Sequence, residues 1–407
     1  MKTSRISTSL SQELRFDLVA FLRLNSEVFA WSYNDMTGIS PDIKSVWQKR
    51  RAYDPEKYEV MKAEVDKFSN IEFIKEVDYP TWLANVVMVR KPKKGWRMCV
   101  DCTNLNRACP KDSFSLPRID QLVDATTGHA LVSFMDAYSG IFAPMIDNTM
   151  EVYADDMLVK NRTADQHISN LSAMFTILKQ YEMRLNLTKY AFSIASGKFL
   201  DFMISQRGIE ANPEKIQAIL DMKIPKPVKD IQSLTERVVA LTRFISKATD
   251  CCAPFFKTLK GNKRNITWIA ECDKAFNKLK EYMSRAPLLS TPKPGDILTM
   301  YLSVLATAVS SVLIRPHEDA EHSVHYVSKG LQDVEVRYPN IEKLAFALEV
   351  SARRLRPYFQ AYTIHVLTNQ PLRLVKWAIE LGEFDIHYKP HPATKGQAVA
   401  NFISEFT

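Results

Sequence analysis

Apolar positions along this chain recur at two spacings, and the changes of spacing mark out its elements. Phe16, Leu18, Val19, Phe21, Leu22 and Phe29 lie at helix-like intervals, which predicts a short helix within residues 14–30. Residues 41–51 are polar and irregular, and residues 56–68 read as a helix on an exposed surface. Residues 84–90 and 96–101 then read as strands joined by the turn Lys91-Pro-Lys-Lys-Gly95, a β-hairpin with three lysines at its tip. Residues 130–135 form another strand, and residues 151–160 form two short strands about a tight Ala-Asp-Asp turn.

Helical spacing dominates beyond that turn. Ile168, Leu171, Phe175 and Leu178 share one helical face. Asn212-Pro213 is a helix start, with Asn as the cap and Pro at the first helical position, and Pro225 and Pro227 end that helix. Ile231, Leu234, Val238, Leu241 and Ile245 line a further helix, and Cys272, Ala275, Phe276, Leu279 and Met283 another. Residues 287–295 are Pro-rich and predict a domain boundary. Three strands follow at 297–304, 307–315 and 322–328. A helix comes next with Ile341, Leu344, Ala345, Leu348, Ala352 and Leu355 on its inner face, then a fourth strand at 362–368. That βββαβ order predicts a mixed-sheet α/β domain.

Composition adds little to the fold and something to the partner. With 407 residues, 46% hydrophobic and 25% charged, the chain is an ordinary globular sequence of two to four domains. Its net charge of +8 favours an anionic partner such as nucleic acid. The polar N-terminus predicts no secretory signal, and no stretch is long and apolar enough to span a bilayer, so an intracellular protein is expected. Cys99 and Cys102 have a C-x-x-C spacing with no second pair at zinc-site distance, and the six cysteines read as free thiols.

The chemistry-bearing residues are acidic. Asp136 ends the apolar run at 131–135, and Asp155 and Asp156 sit in Glu151-Val-Tyr-Ala-Asp-Asp-Met-Leu-Val-Lys160. An Asp-Asp pair at a hairpin tip is compatible with a solvated turn. Beside a third carboxylate it is also a donor set for two divalent cations roughly 3.5–4 Å apart, able to activate a hydroxyl and stabilise a leaving pyrophosphate.

The order of motifs decides between these. Trp96-Arg-Met-Cys-Val-Asp-Cys-Thr-Asn-Leu-Asn106, Asp136-Ala-Tyr-Ser-Gly140 and Tyr153-Ala-Asp-Asp156 stand in the order that reverse transcriptases use. Ala108-Cys-Pro-Lys-Asp-Ser-Phe114, Leu116-Pro-Arg-Ile-Asp120, Gln206-Arg-Gly-Ile-Glu-Ala-Asn-Pro-Glu-Lys215 and Arg353-Arg-Leu-Arg-Pro-Tyr-Phe359 resemble the plant gypsy-type LTR retrotransposon polyproteins, in their reverse transcriptase and ribonuclease H region. The resemblance covers nearly the whole chain. It implies an α+β fingers and palm remnant, a helical thumb or connection, and a C-terminal α/β ribonuclease H-like domain. The corresponding bounds are 1–65 for a leading segment, 66–225, 226–290 and 291–407. It further implies Mg²⁺ held by Asp136, Asp155 and Asp156, with the incoming dNTP clamped by Arg97 and by Lys91 or Lys93. An RNA template and a DNA primer are the implied partners, and a membrane is not.

Several positions depart from the family. Only residues 141–150 connect Gly140 to Glu151, where the family has several dozen residues, including a palm helix and a Pro-Phe-Gly-Leu segment beside the nucleotide. Ten residues close a loop but supply no covering helix. The strands bearing Asp136 and Asp155 are therefore expected to expose apolar surface. Ile141 stands where the family has an aromatic residue, and Asp201 and Glu236 where it has glycines. Short pieces are missing near 44–48 and 373–374. In the C-terminal domain the resemblance places four metal-binding acids at Ala306, Glu342, Asn369 and Asn401, of which Glu342 alone is acidic. The expectation is a retrotransposon-derived protein of internally deleted, pseudogene-like type. Polymerase activity is impaired and ribonuclease H activity absent; the alternative is a non-catalytic nucleic-acid-binding remnant.

Overall fold

In a computed structural model the described residues are 5–7, 10–31, 47–70, 74–78, 80, 82–90, 95–108, 117–136, 139–142, 144–154, 156–163, 165–185, 190–225, 227–246, 248–255, 268–317, 320–372 and 381–390. The chain opens with strand β1 (Arg5–Ile6) and helix α1 (Gln12–Leu24). The Ser11 hydroxyl caps α1 by accepting the Leu14 amide at 3.3 Å, and Leu18 points inward. Helix α2 (Pro55–Asn70) buries none of its residues and lies on the surface, as its polar pattern requires. Strands β2 (Val86–Arg90) and β3 (Trp96–Val100) pair antiparallel from Val86↔Val100 to Arg90↔Trp96, which is the expected hairpin. Short helices α3 (Thr103–Ala108) and α4 (Ile119–Thr126) lead into the palm.

Strands β4 (Leu131–Asp136), β5 (Met150–Tyr153), β6 (Asp156–Asn161) and, after helix α5 (Asp165–Gln180), β7 (Ala191–Ile194) complete a five-stranded sheet of order β1-β7-β4-β6-β5. Its strands alternate. Met157 and Val159 join a core with Leu18 of α1 and Leu171, Met174, Phe175 and Leu178 of α5. Val132 and Leu158, on the other face, join Leu122 and Val123 of α4.

The expected exposed palm strands are not found. Met150, Val152, Met157, Leu158 and Val159 are all buried. The short connection supplies part of the cover itself. A 3-10 turn at Ser139–Phe142 places Phe142 at 0% exposure in the α1–α5 core. Asp147 turns the chain back with φ +65°, and the Met150 amide donates to the Met145 carbonyl at 3.2 Å. Together with α1 and α5, one large aromatic from this short connection closes the face of the sheet.

The run of helices expected next is interrupted by a second sheet. Strands β8 (Ser196–Phe199), β9 (Phe202–Ser205) and β10 (Gly208–Ala211) form an antiparallel meander. Helix α6 (Pro213–Leu220) starts as expected, with the Asn212 side chain accepting the Glu214 amide at 3.0 Å. Helix α7 (Val228–Val239) ends before Leu241, and the predicted continuation is a 3-10 turn at Thr242–Phe244, although Leu241 and Ile245 are buried as the pattern required. Helices α8 (Ala248–Cys251) and α9 (Ala270–Ser284) complete this region.

The Pro-rich segment 287–295 is stitched down rather than free. Leu289 bridges Ile209 of β10, and Gly208 sits so close (φ +149°) that a Cβ there would lie 2.3 Å from the Leu289 carbonyl oxygen. Beyond it, β11 (Ile297–Val304), β12 (Ala308–His317) and β13 (Ala320–Gly330) pair antiparallel, followed by α10 (Asn340–Arg354), α11 (Arg356–Ala361), β14 (Thr363–Leu367) and β15 (Ile386–Lys389). The order is β13-β12-β11-β14-β15, with β14 parallel to both neighbours. The βββαβ reading holds, and β15 is an addition to it. Ala345, Leu348 and Ala352 of α10 cover one face. Tyr301, Val312, Ile314 and Leu367 on the other face enter the same core as α4, α7 and α9.

Candidate functional site

The palm sheet brings two of the three expected carboxylate positions together. Asp136 and Asp156 are facing residues of the β4–β6 pair, and Tyr153 faces Asp156 across the β5–β6 hairpin. Ala154 takes a left-handed φ of +52°, which tightens the turn. Asp156 is exposed at the strand end, while the rest of β6 is buried. Asp155 lies outside the described residues. A cleft of about 460 Å³ opens here, lined by Phe134, Tyr153, Asp156, Lys198, Leu200 and Asp201 among others.

Two buried polar clusters hold this strand frame, and neither was read from sequence. Lys160 donates to Glu151 Oε1 at 2.5 Å and to the Ala125 carbonyl at 3.1 Å, clamping β5, β6 and α4. Burial pushes the Glu151 carboxyl up, and Lys160 pulls it back. On β4, Ser133 Oγ accepts the Ser193 amide at 2.9 Å and lies 2.8 Å from His167 Nε2, whose Nδ1 faces the Asn161 side-chain amide at 2.5 Å. Burial lowers the His167 pKa to about 4, so the ring is neutral. The signal for the first pair was available: Glu151 and Lys160 bound a hairpin that is apolar except at its Asp-Asp tip.

The remaining expected residues are dispersed. Arg97 is exposed on β3, in a separate two-stranded sheet, with Arg90 stacked on Trp96 at 5.0 Å beside it. Lys91 and Lys93 lie outside the described residues. In the C-terminal domain Ala306 occupies an exposed bend after β11, Asn369 is exposed just after β14, and Glu342 lies in the first turn of α10. Strands β11 and β14 are parallel neighbours, so the ends carrying Ala306 and Asn369 emerge side by side. Asn401 lies outside the described residues. Asp201 and Glu236, where the family has glycines, both lie at the surface. Asp201 is 58% exposed and paired with Lys215 at 3.0 Å, and Glu236 is exposed on α7. The cost at Asp201 is in the backbone, at φ +72°.

The two regions tested for divalent metal differ. Carboxylates at adjacent strand ends are hard-oxygen donors, and the Asp136–Asp156 register fits such a set in kind. An alanine, an asparagine and one glutamate do not fit. Among the described residues, no group of three His, Cys, Asp or Glu side chains is placed to hold an ion.

Residues 268–366 match the RNase H-like domain found in reverse transcriptase. The chain is 26% identical over 268 residues to the retrovirus-related Pol polyprotein from transposon 297 of Drosophila melanogaster, covering 63% of this chain and 25% of that one. It is 25% identical over 402 residues to the Pol polyprotein from transposon opus of the same species, covering 80% and 39%. The chain thus spans a quarter to two fifths of the length of these curated relatives. Among solved structures, the foamy viral protease-reverse transcriptase dRH in complex with double-stranded DNA superposes with a TM-score of 0.75 at 16% identity, over 95% of this chain and 80% of that one. The fold is therefore that of a reverse transcriptase palm and fingers joined to an RNase H-like domain.

Proposed function

We propose that this chain, a homologue of retrotransposon Pol polyproteins with an RNase H-like domain, binds nucleic acid without extending or cleaving it. The finer assignment is to the gypsy-type elements of plants, as an internally deleted, pseudogene-like copy. Its parts divide at 1–65, 66–225, 226–290 and 291–407.

One observation carries the reading. Only thirteen residues separate β4 from β5, and Phe142 among them is buried against the sheet. Among the described residues, no further element walls the nucleotide side of the cleft. Asp136, Asp155 and Asp156 would hold Mg²⁺, which when bound supplies a polarised hydroxyl and charge neutralisation. The side chains must also position a dNTP. Arg97, with Lys91 or Lys93, would clamp its triphosphate, and an RNA template and DNA primer would share the cleft. Without the missing wall, reactants are not held at attack distance, and positioning is worth roughly 7–11 kcal/mol of a barrier. In the C-terminal domain, Ala306, Asn369 and Asn401 leave Glu342 as a lone acid, so hydrolysis has no metal pair to act through.

The test is a labelled RNA/DNA hybrid incubated with excess protein and Mg²⁺. The hybrid is expected to be bound, with affinity falling as salt rises, and its RNA strand to stay intact. RNA cleavage, or no binding at low salt, would overturn the proposal.

A further inference from the structure

Three acidic side chains line one groove: Glu214, and two from positions far apart in sequence, Asp201 and Glu236. The groove holds about 380 Å³ between the β8–β9 turn, the start of α6 and α7, and its walls include Lys198, Glu214, Lys215 and Arg237. Lys198 and Asp201 also line the palm cleft, so the groove continues the proposed site rather than standing apart from it.

Three cations lie along this path, each already engaged. Lys215 pairs with Asp201 at 3.0 Å, Lys198 pairs with Glu214 at 3.3 Å, and Arg237 donates to the Ala218 carbonyl. Asn212, only 2% exposed in the groove wall, keeps a side-chain amide N–H without a partner among the described residues. Donors and cations strung along an open groove, leading out of a cleft, suit a phosphodiester backbone. The acids are what such a ligand must displace. Asp201 is fixed toward Lys215 by its turn. Phe199 pairs with Phe202, so Leu200 (φ +46°) and Asp201 (φ +72°) form a two-residue reversal.

We propose that Asp201 and Glu236 set the nucleic-acid affinity of this chain, acting as tethered anions that occupy the backbone track beside the palm. The inference rests on the reading that the palm cleft faces nucleic acid. A polyanion gains contacts with Lys198, Lys215 and Arg237 only by breaking the existing pairs and approaching Asp201 and Glu236. Neutral isosteres at these two positions free Lys215 and remove both charges, while the Lys198–Glu214 pair stays as it is. Asparagine tolerates the left-handed turn and glutamine tolerates the helix, so the fold is kept.

The experiment measures binding of a fluorescein-labelled DNA hairpin duplex by anisotropy. It compares the full chain, Asp201→Asn, Asp201→Asn with Glu236→Gln, and a surface control of equal charge change, Glu13→Gln with Asp17→Asn on α1. At about 50 mM KCl the groove double variant is expected to bind about tenfold tighter, the single variant to fall between, and the gain to shrink as salt screens it. The surface control is expected to shift affinity by less than about twofold. An unchanged affinity in both groove variants overturns the proposal, as does an equal gain in the surface control. If the unaltered chain fails to bind and the groove variants bind, the residual-binding reading falls and this one stands. If nothing binds, this one falls as well.

Discussion

His167 shows how a single buried side chain couples this fold to pH. Its ordinary pKa of 6.5 is lowered to about 4 by desolvation among Ser133, Asn161 and the palm core. The unfolded chain therefore takes up a proton that the folded chain refuses. Stability from this site is fully present above about pH 6.5 and is lost as pH falls toward 4, amounting to roughly 3 kcal/mol. Denaturant titrations from pH 7.5 to 4.5 are expected to show that loss, and His167→Gln to flatten the slope. The same slope in the variant would assign the effect elsewhere. That Asp136 and Asp156 stand at strand ends was legible in the sequence, because each bounds an apolar run. His167 was not, because a histidine on a helix face gives no sign of which strand hydroxyl it will meet.

At the scale of elements, the ten-residue connection 141–150 is where sequence reasoning went furthest astray. Counting residues predicted exposed strands and could not foresee that Phe142 would turn under the sheet, with α1 and α5 closing the rest. Phe142→Ala is expected to cost about 3–5 kcal/mol, measured by denaturant midpoint, because a fully buried ring is lost from a closed core. A loss under about 1 kcal/mol would mean the loop is only a surface crossing. The strands β8 to β10 were illegible for a different reason. Each is four residues long, with Gly197 inside one and a Leu-Asp reversal between two, so neither length nor turn chemistry announces a meander. By contrast, α2, α6, α9, α10 and the β2–β3 hairpin follow from periodicity and caps alone.

Across the whole molecule, the C-terminal domain is held to the palm by a buried charged cluster. Arg243 donates to Asp120 at 3.0 Å and to Asp124 at 2.7 Å, the Tyr358 hydroxyl donates to Asp124, and Arg243 lies over the Phe202 ring. Burial pushes the Asp124 carboxyl up, while Arg243 and Tyr358 favour its charged form. Arg243→Ala leaves that carboxylate buried without its cation and is expected to cost about 3–5 kcal/mol. Arg243→Met with Asp124→Asn is expected to recover most of it, since no uncompensated charge remains. Equal losses in the two variants, read by thermal or denaturant unfolding, would show that the cluster matters for packing rather than charge. Asp120 and Asp124 share one helix, but Arg243 and Tyr358 lie more than a hundred residues away, which is why the docking of the two sheets could not be read before the fold was in hand.

The proposed function requires acidic strand ends that meet with no wall to hold a nucleotide beside them. The direct measurement is primer extension: a labelled DNA primer annealed to an RNA template, with dNTPs, Mg²⁺ and protein in excess over primer. The primer is expected to be bound and to keep its original length. A lengthened primer, absent when Asp156→Asn replaces the natural chain, would contradict the account.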